Sequence, residues 1–195
     1  MGNVLAVSSS PRRNGNSELL LNSFRKGVED KGHRVWYVRL NTSNFSLCQA
    51  CDLCAEDGEC ILEDDLQEVY EQVARASGIV LATPVYFGSM SAQLKMFVER
   101  FQGWWHAKYN LKRPRVKSEE NRPGFFICVG ALKKKSYCEN ALEIARVFYH
   151  NVNYRYYDCL FYRGVDDKGA IKSYPGALQE ARSAGQRFAG ELPAD

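Results

Sequence analysis

The sequence predicts a single α/β domain over residues 1–195, built on a doubly wound five-stranded parallel sheet with helices on both faces. Three observations favour this fold class. Five apolar runs have the length of strands, and segments with helical periodicity follow them along the chain. One run, "GIVLAT", is apolar throughout, as expected of a parallel strand covered on both faces. A chain of 195 residues is also long enough to bury a core of its own.

The first part of the chain alternates between strands and helices. "NVLAVS" predicts the first strand and "HRVWYVRL" the second. Between them, apolar residues at four-residue intervals predict a helix whose buried face is formed by Leu20, Phe24 and Val28. After a cysteine-rich loop at 47–61, Asp64 and Asp65 mark the start of the next helix, with Asp64 as its N-cap. The buried face of that helix is formed by Leu66, Val69, Tyr70 and Val73.

The same alternation continues to the end of the chain. "GIVLAT" predicts the third strand, which we expect Pro84 to end. "GFFICVGA" and "YYDCLFY" predict the fourth and fifth strands, and a last helix runs from about 176 to 188. Two further helices have buried faces formed by Leu94, Phe97, Val98 and Phe101, and by Ala141, Ile144, Ala145 and Phe148. A charged segment at about 103–122 interrupts the alternation as an insertion.

Charge and hydropathy limit the classes of partner. The formal net charge is only +3 and no helix face gathers the basic residues, so we expect no nucleic-acid partner. No apolar run approaches the roughly 18 residues of a membrane helix, and the N-terminus lacks the pattern of a signal peptide. We therefore expect a cytoplasmic protein without a membrane partner. In a reducing compartment, seven cysteines favour metal or redox chemistry over disulfides.

The loop after the first strand, "SSSPRRNGNS", has the composition of a phosphate-binding loop. Ser10, Asn16 and Ser17 offer side-chain donors, Arg12 adds a positive charge, and Gly15 permits a left-handed turn. Both the dinucleotide fingerprint G-x-G-x-x-G and the Walker lysine are missing, so a mononucleotide is the favoured ligand. An ordinary polar turn with an N-cap is the alternative.

The loop after the third strand, "TPVYFGSM", combines aromatic residues with a glycine. Tyr86 and Phe87 stand at the carboxyl end of the strand, and Gly88 lets the backbone approach a ligand closely. Such a loop suits a flat heteroaromatic ring with polar edges. The alternative is that both aromatic residues cap the core.

Four thiols fall within the short segment "LCQACDLCAEDGEC". Cys48, Cys51, Cys54 and Cys60 have a spacing that allows one iron–sulfur cluster, and zinc or inert thiols are the alternatives. Zinc sites more often pair two C-x-x-C units across a longer spacer. The other cysteines fall on predicted strands and a helix, and we expect packed thiols at Cys128, Cys138 and Cys159.

Three motifs in this order resemble those of the NADPH-dependent FMN reductase superfamily of flavodoxin-like proteins: "SPRRNGNS", "CQACDLCAEDGECILEDDL" and "TPVYFGSMSAQLKMFVER". More narrowly, they resemble its iron–sulfur flavoproteins, as does "VDDKGAIKSYPGALQEARSAGQRFAG" near the end. The resemblance implies a flavodoxin-like fold and a [4Fe–4S] cluster bound by Cys48, Cys51, Cys54 and Cys60.

The resemblance also implies which residues contact FMN. The phosphate would be bound by Ser10, Arg12, Asn16 and Ser17, and the isoalloxazine by Pro84, Val85, Tyr86, Phe87 and Gly88. The loop after the fourth strand adds Gly130 and Ala131, although Lys133–Lys135 depart from the small residues common there. The lysine run and "LKRPRVK" would either attract the phosphates of NADPH or form solvated surface.

The function implied is an FMN-dependent oxidoreductase that passes electrons from NAD(P)H or another reductant through FMN to the cluster and a redox acceptor. That acceptor would be a small molecule or an electron-transfer protein, and no general acid or base is assigned. A cluster-free NAD(P)H:FMN or quinone reductase and a non-enzymatic electron carrier are the alternatives. The resemblance implies a homodimer or homotetramer, with Trp104 and Trp105 either at the interface or in the core.

Overall fold

A parallel sheet of five long strands forms the centre of the molecule. In the computed structural model, which describes residues 1–193, a short sixth strand pairs antiparallel with the third. The strands are β1 Asn3–Ser8, β2 Arg34–Arg39, β3 Gly78–Tyr86, β4 Ser89–Met90, β5 Pro123–Gly130 and β6 Arg155–Arg163. Their order across the sheet is β2-β1-β3-β5-β6. This is the flavodoxin-like order, so the predicted fold class is confirmed.

Helices cover both faces of this sheet. They are α1 Asn16–Glu29, α2 Leu66–Arg75, α3 Ala92–Glu99, α4 Gln102–Trp105, α5 Lys135–Asn151 and α6 Ala177–Ala189. Helices α1 and α6 enclose one hydrophobic core against the sheet, and α2 to α5 enclose the other. Successive strand residues alternate between the cores: Leu5 and Val7 face one, Val4 and Ala6 the other. This alternation is why the central strands are apolar throughout.

The end of β3 differs from the prediction. Pro84 does not end the strand, which continues to Tyr86 with Pro84 opposite Val129 of β5. The pairing of β3 with β1 ends at Ala82, and the pairing of β3 with β4 begins at Val85. Pro84 falls between these two pairings, at the kind of interruption where a missing N–H group is tolerated.

The predicted insertion at 103–122 is partly helical. Its first residues belong to α4, and a π-helix follows at His106–Asn110. Trp104 is buried and joins the core beneath α2, whereas Trp105 is 42% exposed. Trp104 therefore belongs to the core, and an interface at Trp105 stays a prediction. The thiols of Cys128 and Cys138 are buried as expected, and Cys159 packs against the same core.

The N-cap position of helix α2 is Asp65, one residue after the predicted Asp64. Asp65 stands at the boundary, yet it is the carboxylate of Asp64 that accepts the backbone N–H of Leu66, at 3.1 Å. The Asp65 carboxylate instead accepts the N–H of Asn44, at 2.6 Å. Both acidic residues thus hold the segment before the cysteine loop close to the start of α2.

Candidate functional site

A cavity of about 150 Å³ opens at the carboxyl edge of the sheet. Its walls come from the last residues of β3 and β5 and from the segments after β1, β5 and β6, the region expected to bind a ligand in a doubly wound sheet. Most residues predicted to contact FMN line it: Ser10, Arg12, Asn16, Ser17, Pro84, Val85, Tyr86 and Ala131.

The Ser17 hydroxyl is the clearest sign that this cavity binds a polar ligand. Ser17 is 2% exposed, and its Oγ has no hydrogen-bond partner among residues 1–193. Buried hydroxyls are nearly always paired, so the Ser17 hydroxyl on this cavity wall is available to bond a ligand or a water molecule. Ser17 lies in the first turn of α1, where backbone N–H groups are also free to bind an anion. This donor set fits the phosphate of a mononucleotide.

The loop that precedes Ser17 is tightly turned. The Ser10 Oγ accepts the backbone N–H of Arg12 at 3.2 Å, and the Gly15 N–H donates to the Arg12 carbonyl at 3.0 Å. A β-carbon at Gly15 would lie 2.9 Å from that carbonyl oxygen, so a larger residue would push the loop open. The exposed Arg12 guanidinium reaches the Asp166 carbonyl at 3.4 Å and lies at the cavity mouth.

Glu18 anchors this loop from below. It is 7% exposed and accepts hydrogen bonds from the Tyr37 hydroxyl at 2.7 Å, from Arg39 Nε at 3.1 Å, and from the backbone N–H of Asn14. Arg39 Nη2 also donates to the carbonyls of Ser10 and Pro11, each at 3.2 Å. Burial alone raises the pKa of Glu18, but these bonds outweigh it and hold that pKa below its usual value.

Asn16 lines the cavity, but its side chain is already engaged. Its Nδ2 donates to the Asp167 carbonyl at 2.9 Å, and its Oδ1 accepts the N–H of Ile171 at 3.2 Å. Asn16 therefore joins the β1 loop to the segment after β6. That segment contributes Val165, Asp166 and Lys168 to the cavity wall, none of which was predicted.

The predicted residues Phe87, Gly88 and Gly130 do not line this cavity. Phe87 and Gly88 form the two-residue turn between β3 and β4, with φ of 49° and 81° respectively. Positive φ at both central residues is the pattern of a type I′ hairpin, which suits glycine and strains phenylalanine. The Phe87 ring is fully exposed. The turn rests on α5, since Asn140 Nδ2 donates to the Gly88 carbonyl at 3.2 Å.

The four cysteines of the 47–61 loop line a second cavity, of about 480 Å³. Its other walls come from the end of α3, from α4 and from α5. Cys51 is exposed, and the other three are partly buried. Burial, together with the charges of Cys60, Cys48 and Cys51, raises the pKa of Cys54.

These thiols fit an iron–sulfur cluster in ligand type and in sharing one cavity, but they do not form a ready metal centre. In the described part of the chain, no three or more His, Cys, Asp or Glu side chains are grouped so as to hold a metal ion. The loop itself is strained, because Ala50 and Asp52 on either side of Cys51 have φ of 49° and 59°.

Comparison with known proteins identifies the family. A model of NADPH-dependent FMN reductases matches residues 3–133, about two-thirds of the chain. The chain belongs to the NADPH-dependent FMN reductase family. The matched range contains the β1 loop, the cysteine loop and the β3–β4 turn, and it supports the expectation of a flavin-dependent oxidoreductase.

Curated relatives of this FMN reductase family member support the subgroup. The chain is 37% identical over 97 residues to an iron–sulfur flavoprotein of Methanocaldococcus jannaschii, covering 50% of each sequence. It is 37% identical over 113 residues to an iron–sulfur flavoprotein of Archaeoglobus fulgidus, covering 58% of this chain and 57% of the relative. In these matches the chain spans about half the length of its curated relatives.

Solved structures agree with the fold. The chain of this FMN reductase family member superposes on an NAD(P)H:quinone oxidoreductase from Methanothermobacter marburgensis with a TM-score of 0.69, covering 96% of both chains. The identity is 19%, so this likeness concerns the fold alone. No helix within residues 1–193 is long and apolar enough to cross a membrane.

Proposed function

We propose that the protein is an FMN-dependent oxidoreductase that takes electrons from NAD(P)H or another reductant and passes them to a redox acceptor. The observation that carries this proposal is the cavity at the carboxyl edge of the sheet, where Ser17 presents a buried, unpaired hydroxyl. Membership of the FMN reductase family supports FMN as the ligand of that cavity.

The β1 loop binds the phosphate in this proposal. Ser17 donates a hydrogen bond together with the free N–H groups of α1, and Arg12 neutralises charge from the cavity mouth. The Ser10 hydroxyl turns from the Arg12 carbonyl, which it meets at 3.3 Å, to the phosphate when FMN binds. Lys168 also lines the cavity and is a second cation for the same phosphate. Asn16 acts through the loop it holds, because both polar atoms of its side chain are already bonded.

We assign the isoalloxazine ring of FMN to the part of the cavity lined by β3. Pro84, Val85 and Tyr86 offer an apolar wall, and the turn at Phe87 and Gly88 stands beside it. When bound, FMN supplies hydride acceptance and one-electron release, and the protein supplies orientation and exclusion of water. The exposed Phe87 ring supports a homodimer or homotetramer, in which a second subunit covers it.

We extend the proposal to a [4Fe–4S] cluster held by Cys48, Cys51, Cys54 and Cys60. The shared cavity of these thiols and the similarity to iron–sulfur flavoproteins support this assignment. A bound cluster adds single-electron transfer toward a small molecule or an electron-transfer protein. The protein would act in the cytoplasm, where free thiols persist.

One observation favours a second candidate, a cluster-free NAD(P)H:FMN or quinone reductase. In residues 1–193 the four thiols are not gathered into a metal-binding group, so they would then be spectators to flavin chemistry. The residues assigned to FMN are the same in both candidates.

Anaerobic rapid mixing of FMN-loaded protein with NADPH or NADH tests the proposed function. We expect the visible flavin band to bleach with at least one of them, and to return when a quinone is added. A protein that neither nucleotide reduces, but that a ferredoxin-like donor reduces quickly, would instead be a non-enzymatic electron carrier. Rapid turnover by iron-free protein would select the cluster-free reductase.

A further inference from the structure

The side chain of Arg100 touches both ends of the cysteine loop. Arg100 follows the last residue of α3, and its Nη1 donates to the Ser46 carbonyl at 2.8 Å. Its Nη2 lies 3.5 Å from the Leu62 carbonyl. Ser46 precedes the first cysteine of the loop by two residues, and Leu62 follows the last by two. One guanidinium therefore joins the two points at which the loop leaves the body of the domain.

Arg100 is only 1% exposed, so its guanidinium loses the favourable hydration that it has in the unfolded chain. A buried charge destabilises a fold unless it is paired, and Asp64 supplies the pair. Arg100 Nη1 lies 2.6 Å from Asp64 Oδ2, and Nη2 lies 3.3 Å from Oδ1, so the pair is bidentate. Asp64 also accepts the N–H of Ser46 at 3.2 Å. The pair and the first end of the loop thus form one network.

The position of Arg100 is fixed from the other side as well. The Tyr70 hydroxyl of α2 donates to the Arg100 carbonyl at 3.0 Å, which ties the backbone to the core. Arg100 also lines the cavity that holds the four thiols, and its buried Nε has no hydrogen-bond partner in the described chain. A guanidinium stays positively charged at every accessible pH. That charge is paired with Asp64, so what Arg100 brings to the cavity wall is a fixed position for both ends of the loop.

We propose that Arg100 is the positioning residue of the cysteine loop: its guanidinium ties the Ser46 and Leu62 carbonyls to the core and so fixes where the four thiols lie. The inference rests on the proposed function where it concerns the cluster. The tie itself concerns the chain alone and is testable without iron.

The substitution that tests the tie is Arg100→Lys, which keeps the charge and removes the fork that reaches two carbonyls. Its matched control is Arg122→Lys. Arg122 also joins two backbone carbonyls, of Ala74 at 2.7 Å and Ala76 at 2.9 Å, and pairs with Glu120, but it touches no residue of the cysteine loop.

The first readout is the rate at which N-ethylmaleimide alkylates each loop thiol in metal-free protein, followed by mass spectrometry. We expect alkylation of the loop thiols in Arg100→Lys to be faster by about tenfold or more, because the loop opens locally when its tie is lost. In Arg122→Lys we expect the wild-type rate. Equal rates in all three proteins, or equal acceleration in both variants, would overturn the proposal.

The second readout uses anaerobically purified protein with its cofactors. We expect Arg100→Lys to retain less iron and to change the electron paramagnetic resonance spectrum and midpoint potential of the reduced cluster. FMN content and the flavin potential stay as in the wild type. If Arg100→Lys acted only by lowering the stability of the fold, it would change the FMN content and flavin potential as well as the cluster. Arg122→Lys would then show the same changes. That result would count against the proposal.

The two claims fail in different ways. Wild-type protein that holds no iron when purified without oxygen would refute the cluster, while the alkylation rates still decide whether Arg100 ties the loop. Wild-type protein with a cluster that is untouched in Arg100→Lys would refute only the role of Arg100. If Arg100→Lys does not fold, the double variant Arg100→Met with Asp64→Asn takes its place, since it removes the buried charge and its partner together, and the same directions are expected.

Discussion

Gly103 of α4 faces the carbonyl oxygen of Gly58 in the cysteine loop, and a β-carbon at Gly103 would lie 2.6 Å from that oxygen. The same β-carbon would lie 3.4 Å from the Cβ of Cys54. Gly58 in turn has φ of 86° and contacts Ala107 of the π-helix closely. Because neither Gly58 nor Gly103 has a β-carbon, the backbone of the cysteine loop packs directly against α4 and the π-helix. This close packing forms part of the wall of the cavity that the four thiols line.

Gly103→Ala tests this contact. Because the added methyl group meets backbone, we expect the free energy of unfolding to fall by about 1–3 kcal/mol and the iron content to fall with it. Urea denaturation of the metal-free protein measures the first effect. Gly190→Ala is the control, since its β-carbon would meet only the Arg187 carbonyl, at 3.3 Å. Equal losses in the two variants would contradict a specific contact with the loop.

Ser17→Ala separates binding from folding. Removal of a buried hydroxyl without a partner leaves nothing unpaired, so we expect the unfolding free energy of the FMN-free protein to stay the same or rise slightly. FMN affinity, measured by fluorescence quenching, should fall by about tenfold. Ser23→Ala on the same helix provides the control, with unchanged affinity. An unchanged affinity in Ser17→Ala would remove this hydroxyl from the phosphate site.

Glu18→Gln tests the anchor beneath the phosphate loop through its pH dependence. The pKa of Glu18 is lowered in the fold, so its carboxylate stabilises the protein above the ordinary value of 4.5 and stops doing so as the pH falls through the lowered pKa. At pH 7 we expect the variant to lose about 1–3 kcal/mol of unfolding free energy. The difference from the wild type should shrink below pH 4.5. A difference that stays constant with pH would contradict the lowered pKa; Glu29→Gln is the control.

Gly88→Val tests the turn beside the proposed ring site. Valine at φ of 81° is strained, and its Cβ would lie 3.2 Å from the Tyr137 ring. We expect a displaced turn and an FMN affinity lower by about tenfold or more. Gly32→Val has the same kind of strain, at φ of 82°, with no neighbour within 4 Å. Calorimetric titration with FMN should therefore separate the two variants, and equal affinities would place the turn outside the site.

Cys51→Ser tests the ligand assignment. We expect the variant to lose its iron and acid-labile sulfide while FMN stays bound, because the two cavities share no residue. Cys159→Ser is the control, as this thiol packs against the core and does not line the cavity of the loop thiols. Metal analysis of both anaerobically purified variants is the measurement. Iron retained at the wild-type level in Cys51→Ser would refute its role as a ligand.

The fold was readable from the sequence because it depends on local patterns. Apolar runs identified each long strand, and most of the predicted phosphate and ring residues meet in one cavity because parallel strands end at the same edge. The continuation of β3 through Pro84 was not readable, since it depends on where the pairing with β1 ends. The role of Arg100 was hidden for a similar reason: in "FVER" it resembles an exposed charge at a helix end, and only the returning loop buries it.

The cavity residues in the segment after β6 were missed for a different reason. Asp166 and Lys168 follow the last strand directly, so the edge rule alone would have placed them at the cavity. Asn16 matched the phosphate motif in sequence, yet its side chain is bonded to this same segment. Residue type and position therefore identified most residues that line the cavity, whereas the hydrogen-bond partner of each polar group required the folded chain.

The most direct test of the central claim is the visible spectrum of protein purified without oxygen, recorded before and after chemical reduction, with FMN and iron measured on the same sample. We expect the bands of bound FMN above a broad shoulder that bleaches on reduction, with about four irons for each FMN. Flavin bands without iron would leave a cluster-free FMN reductase. Protein that binds no FMN even after reconstitution would contradict the assignment of the cavity at the carboxyl edge of the sheet.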